Sequence, residues 1–143
     1  MTVKAILSVK GTEVFTIEPT ANLAGAAKVL AERKIGALVV TGPDRRVVGI
    51  VSERDIVQEL AAHGAKSFDL PLTEIMTRNV MTCSVSDTIS SVMGRMTEGK
   101  FRHLPVVEQG RLAGLVSIGD VVKHRLKEME NEQSALRDYI QTA

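Results

Sequence analysis

Apolar residues along the chain fall into two alternating rhythms, one with the two-residue period of a strand and one with helical spacing. Val14 to Ile17 reads as a short strand, turned by Pro19 and Thr20. Leu23, Ala26, Ala27 and Leu30 then recur at helical intervals, with Asn22 placed to cap. Ala37–Thr41 and Val47–Val51 are strand-length apolar runs around Gly42-Pro43-Asp44, which is turn chemistry, so they predict a hairpin. Ser52 opens a helix that reaches about Ala62. The same order then returns: a strand at Val80–Cys83, and a helix facing inward through Ile89, Val92, Met93 and Met96. A hairpin follows, His103–Val107 with Leu112–Val116 around Gln109-Gly110, and Ser117 starts the final helix. His63 to Leu70 reads as a linker. Leu72–Met76 forms a lead-in to the second set, matching Val3–Leu7 before the first.

The two sets are copies. Val14–Val57 aligns with Val80–Val122 at an offset of 66, which falls to 65 after one residue is lost in a turn. Thr16/Thr82, Glu32/Glu98, Lys34/Lys100, Leu38/Leu104 and Val40/Val106 coincide, as do Gly49/Gly114, Ser52/Ser117 and Asp55/Asp120. A tandem repeat of this size implies that neither copy buries its apolar face alone. Two related halves also predict a cleft between them, a favoured place for small ligands.

No stop signal interrupts the last helix, which is expected from about Gly119 to Tyr139. Val122, Leu126, Met129, Gln133, Leu136 and Ile140 alternate by four and three along it, an a/d seam. Two readings stay open: a terminal helix packed on its own domain, or a helix that seeks a partner.

Composition narrows the function classes. At 143 residues and 44% apolar, the chain supports one compact core but leaves each repeat marginal alone. The apolar runs are too short to span a membrane, and no secretory leader is evident, so the cytoplasm is the expected compartment. Eighteen basic against 17 acidic residues, with three Phe and one Tyr, make a nucleic-acid partner unexpected. The lone Cys83 and the dispersed His63, His103 and His124 offer neither a disulfide nor metal-ligand spacing. No phosphate-binding Gly-rich loop or dinucleotide fingerprint occurs, so no catalytic constellation is expected.

The chemistry-bearing pattern is Gly-x-Val-Ser-x-x-Asp, present as Gly49–Asp55 and again as Gly114–Asp120. Ser followed three residues later by an acid at a strand-to-helix junction is a capping pattern. Capping alone does not require the fixed Gly, nor Asp in place of Glu. An Asp in the first helical turn can also hold a vicinal diol, while the helix N-terminus offers N–H groups and partial positive charge to a phosphate. A ribose phosphate fits that combination.

Together with Ile75-Met76-Thr77 and Phe101-Arg102-His103-Leu104-Pro105-Val106-Val107, these paired elements make the chain resemble a tandem cystathionine-β-synthase (CBS) domain pair over roughly Val3 to Lys127. The resemblance implies an α/β (α+β) fold: two β-α-β-β-α repeats with pseudo-two-fold symmetry. The first repeat with its lead-in would span residues 1–65, the second 72–130, and a helical extension 131–143. It implies an adenosine-nucleotide sensor, with AMP the first choice and ATP, NAD(H) or S-adenosylmethionine as alternatives. Asp55 and Asp120 would then hold ribose hydroxyls, with Ser52 and Ser117 beside ribose and phosphate. Thr16, Ile17, Thr82 and Cys83 would meet the adenine edge. Lys34, Ile35, Gly36 and Ala37, and Arg102, His103, Leu104 and Pro105, would line the clefts. Arg54, Arg102 and His103 would take phosphate, because Arg matches phosphate geometry bidentately. The copies differ where Glu53-Arg54 faces Ile118-Gly119, and Gly36-Ala37 faces Arg102-His103, so unequal sites are expected. A homodimer and an unknown effector protein are the implied partners. The competing classes are a structural dimerisation module with vestigial clefts and a weak nucleotide-handling enzyme.

Overall fold

The computed structural model of the chain describes residues 1–142, so Ala143 of the expected 131–143 extension lies outside the described residues. Its elements run α1 (Val3–Lys10), β1 (Thr16–Ile17), α2 (Leu23–Arg33), β2 (Ala37–Thr41), β3 (Val47–Ser52) and α3 (Glu53–His63). After a 3-10 segment at Gly64–Asp69 come α4 (Leu72–Ile75), α5 (Ile89–Gly99), β4 (His103–Glu108), β5 (Arg111–Ser117) and α6 (Ile118–Thr142). The α/β repeat order read from the sequence is therefore present, in two small sheets, β1-β2-β3 and β4-β5.

Local sequence explains most boundaries. Asn22 caps α2 by accepting the Gly25 N–H at 2.9 Å, and Thr88 caps α5 by accepting that of Ser91 at 3.1 Å. Lys34 and Lys100 end α2 and α5 in the left-handed region, φ 55° and 57°, so this repeated lysine is first a helix stop. Gln109 and Gly110, at φ 52° and 78°, form the tight hairpin turn of β4 and β5. The opening strands are shorter than expected. β1 keeps only Thr16 and Ile17, parallel to β2, and the expected Val80–Cys83 strand shrinks to one parallel bridge, Cys83 to Val106. There Arg95 substitutes for a ladder: its guanidinium donates to the Thr82 carbonyl at 3.0 Å and pairs with Asp87 at 2.9 Å.

The chain divides into two compact units whose membership crosses the sequence repeats. One holds Met1–Thr12, Thr82–Val107 and the chain from Ala113 on; the other holds Glu13–Met81 with Glu108–Leu112. Each lead-in thus packs in the unit of the other repeat, by the same bonds. In the first unit Val3 N–H donates to Asp87 O (2.9 Å) and Ile89 N–H to Met1 O (3.1 Å). In the second Leu72 N–H donates to Ala21 O (2.8 Å) and Leu23 N–H to Leu70 O (2.9 Å). Val3, Ile6 and Leu7 join a core with Ile89, Val92, Met96, Leu104 and Val116. Leu72 and Ile75 join Leu23, Leu30, Leu38, Val40, Val51 and Ile56.

Gly49 and Gly114 permit this packing. A Cβ built on Gly49 would lie 2.4 Å from Met76 Sδ and 3.2 Å from the Thr77 carbonyl. There the lead-in exchanges two backbone bonds with Ile50, at 3.0 and 2.9 Å. A Cβ on Gly114 would lie 2.8 Å from Leu7 Cδ2. The fixed glycine of the repeated motif is thereby explained as the seat of a crossing lead-in.

Gly49→Ala and Gly114→Ala are each expected to lower unfolding free energy in urea by about 1–3 kcal/mol, the usual cost of overpacking. Leu7→Ala, though destabilising by itself, should make Gly114→Ala less costly than it is in the native chain. Equal effects of Gly114→Ala in both backgrounds would contradict the steric explanation.

Candidate functional site

Each candidate centre sits where a strand passes into a helix. At the end of β3, Ser52 has extended backbone and caps α3: its Oγ accepts the Asp55 N–H (3.2 Å), and Asp55 Oδ2 accepts the Ser52 N–H (2.8 Å). At the end of β5, Ser117 and Asp120 repeat the arrangement at 3.2 and 2.9 Å. Both pairs are reciprocal capping boxes. In both, the first helical N–H turns back onto the residue just before the first strand of the hairpin, Glu53 to Gly36 O (3.0 Å) and Ile118 to Arg102 O (2.7 Å). Among the described residues the next N–H, that of Arg54 or Gly119, has no protein acceptor. The backbone cap bonds fall on Oδ2 of each Asp, and among the described residues no backbone N–H reaches Oδ1.

The centres differ in charge. Asp120 Oδ2 also receives Lys10 Nζ at 2.6 Å, and the same ammonium donates to Leu115 O at 2.9 Å. Burial pushes the Asp120 carboxyl up, but the Lys10 bond, the Ser117 bonds and the Lys10 charge together hold it below the ordinary 3.8. Asp55 has no ion-pair partner among the described residues. Sequence reasoning missed Lys10, which is 110 positions from Asp120. A signal existed: with Val3–Leu7 matched to Leu72–Met76, Lys10 corresponds to neutral Asn79.

Around Asp55, Gly36 and Ala37 lie against the helix start, since Ala37 is the register partner of Ser52. Thr16 and Ile17 stand opposite Val39 and Val40, on the far side of β2 from β3. Lys34, Arg54 and Thr16 are exposed, and Ile35 and Gly36 half-buried. Around Asp120, Arg102 and Gly119 are exposed, while His103, Thr82 and Ile118 are half-buried. Ala37, Cys83, Leu104 and Pro105 are buried, so their side chains face core. Cys83 also has both backbone groups committed, to Pro105 O (3.0 Å) and from Val107 N–H (2.8 Å). A solvent-open groove lined by Thr16 to Thr20 and Thr41 to Pro43 shares Thr16 and Ile17 with the expected set. It lies toward the opposite end of β2 from Ser52, so it is not where the capping boxes converge.

The known family with this construction is the CBS domain, which matches residues 3–62 and again 72–127. The chain belongs to the CBS-domain family. It is 36% identical over 113 residues to an uncharacterized 17.7 kDa protein of Acidianus ambivalens, covering 78% of this chain and 67% of that protein. It is 33% identical over 120 residues to the mitochondrial CBS domain-containing protein CBSX3 of Arabidopsis thaliana, covering 81% of this chain but only 58% of that protein. Among solved structures, a CBS-domain containing protein from Agrobacterium tumefaciens superimposes with TM-score 0.84 at 47% identity, covering 87% of this chain and 99% of that one. The CBS pair of protein MJ0100, in complex with 5′-methylthioadenosine and S-adenosyl-L-methionine, gives 0.79 at 27% identity over 90% of this chain and 98% of its own. A Pyrobaculum aerophilum CBS protein complexed with AMP gives 0.75 at 28% identity over 84% and 89%.

Within this CBS pair, the Lys10–Asp120 contact carries a pH signature. A carboxyl lowered in the folded state adds stability above its unfolded pKa, and that stability disappears as pH falls through the lowered value. Lys10→Met should raise the Asp120 pKa, because burial then opposes the Ser117 bonds alone. A carboxyl-carbon NMR titration that finds Asp120 unmoved in Lys10→Met would contradict the pairing.

Proposed function

We propose that this CBS pair is a regulatory module that binds an adenosine-containing ligand at the helix starts around Asp55 and Asp120, and that it acts as a homodimer on a separate effector protein. The observation that carries this reading is the uncommitted half of each capping box. One carboxylate oxygen of each Asp, and the adjacent N–H of Arg54 or Gly119, remain after the fold's own needs are met. A ribose diol donates to a carboxylate, and a phosphate suits an N–H at a helix start. Related CBS proteins complexed with AMP, 5′-methylthioadenosine and S-adenosyl-L-methionine support adenosine as the shared part of the ligand. AMP is the first choice, with ATP, NAD(H) and S-adenosylmethionine as alternatives, and the action is regulation rather than catalysis. Exposed Arg102 and half-buried His103 would serve the phosphate at one centre, and exposed Arg54 at the other. The two centres are unequal ligand sites, because Lys10 already engages Asp120.

A second reading has its own observation. Both Ser–Asp pairs are geometrically complete as caps, as a dimerisation module that has lost its ligand would require.

Asn in place of Asp separates the two readings, since its side-chain oxygen still caps the helix while its NH₂ cannot accept from a ribose. Asp55→Asn and Asp120→Asn should each weaken AMP binding about 10–100-fold at its own site, the scale of a charged hydrogen bond, with thermal stability nearly kept in Asp55→Asn and lowered in Asp120→Asn, which also loses the Lys10 ion pair. Calorimetric titration with AMP, ATP, NADH, S-adenosylmethionine and adenosine measures this. No binding of any of them by the native chain, or affinity unchanged in the double variant, would favour the structural reading.

A further inference from the structure

The final helix presents two faces. Val121 and His124 are buried, and Arg125 and Glu128 half-buried, so α6 packs on its own chain as far as Glu128. From Met129 to Thr142 every residue is exposed. Leu126, Met129, Leu136 and Ile140 stand on one stripe with relative exposures of 55%, 46%, 60% and 65%. The tail gains nothing from tertiary packing, which supplies most helical stability in proteins, so covering its apolar stripe would stabilise it. It also lies beyond the family match, which ends at residue 127.

We propose that α6 pairs with α6 of a second copy of this chain as a parallel, in-register two-stranded coil. This rests on the homodimer reading above and adds its seam, direction and register. Charge complementarity favours the second copy, and the Gln133 layer sets the direction. With Leu126, Gln133 and Ile140 at a and Met129 and Leu136 at d, Arg125 and Glu132 occupy g, and Glu130 and Arg137 occupy e. In a parallel pair each g faces the following e of the other helix. Arg125, which lies 3.7 Å from both Glu128 and Glu132 of its own helix, then also approaches Glu130 of the partner subunit, and Glu132 meets Arg137 of the partner subunit, each twice by symmetry. Gln133 meets Gln133 of the partner subunit, where two amides satisfy each other and penalise a slipped register. The antiparallel register confined to the exposed tail sets Glu130 against Arg137 of the partner subunit, but leaves Glu132 against Tyr139 of the partner subunit and buries Gln133 against apolar Leu136 of the partner subunit.

The test uses the full-length chain. Native protein should be dimeric by analytical ultracentrifugation. Leu136→Glu, at an exposed position that cannot disturb the monomer core, should weaken the dimer by more than 10-fold. Arg137→Glu should weaken it about 10-fold by setting Glu against Glu, and adding Glu132→Arg should restore it. Ile140→Cys should form an intersubunit disulfide under mild oxidation, as the a positions of a parallel pair face each other. A monomeric native chain overturns this inference and the homodimer reading together. A dimer indifferent to Leu136→Glu and Arg137→Glu overturns the coil alone. An Ile140→Cys chain that cross-links only to a Met129→Cys chain overturns the parallel direction.

Discussion

Two crossings with no room for a side chain govern this architecture. At Gly49 and at Gly114 a lead-in segment passes so close to a strand that a Cβ would strike Met76 or Leu7. Because each lead-in packs in the unit of the other repeat, the core of neither unit is complete without residues from before the partner repeat. Leu72 and Val3, both fully buried, are the anchors, and the same two backbone bonds fix each. The repeat is therefore one packing solution used twice.

The crossings also give the motif a division of labour. Gly seats the lead-in, Val51 and Val116 fill the cores, and Ser with Asp closes the cap of the following helix. Capping consumes one oxygen of each Asp and two N–H groups at each helix start, those of the Ser and of the Asp. What remains is a carboxylate oxygen beside a helical N–H, a donor–acceptor pair suited to a ribose phosphate. On the proposed reading, folding and ligand binding draw on one residue set, so Lys10 at Asp120 would change local stability and ligand preference together.

The repeats, the order of elements, the Asn22 cap and the Gln109-Gly110 turn were legible in the sequence because each rests on local spacing or on turn chemistry. The reduced first strands were not: in the second repeat the Thr82 carbonyl accepts from Arg95, thirteen positions away, and not from a neighbouring strand. The exchange of lead-ins was hidden as well: Val3–Leu7 is apolar in the same way wherever it packs. The final helix was half legible. Its a/d stripe is present, but the core is met by Val121 and His124 on another face, which leaves Leu126 and Met129 exposed. At the candidate site, Ser52, Asp55, Ser117 and Asp120 were readable because they recur. Lys10 was not, because it belongs to a helix from the opposite end of the chain. Ala37, Cys83, Leu104 and Pro105 entered the candidate set by resemblance, and their burial limits what they can offer a ligand.

The central claim is that groups left over from capping, and not the caps themselves, receive the ligand. A crystal structure of the chain grown with AMP tests it most directly. The account predicts ribose hydroxyls on Oδ1 of Asp55 or Asp120, phosphate against the N–H of Arg54 or Gly119, and both capping boxes intact. AMP bound elsewhere with both carboxylates untouched, or bound only after the Ser–Asp cap has opened, would contradict it.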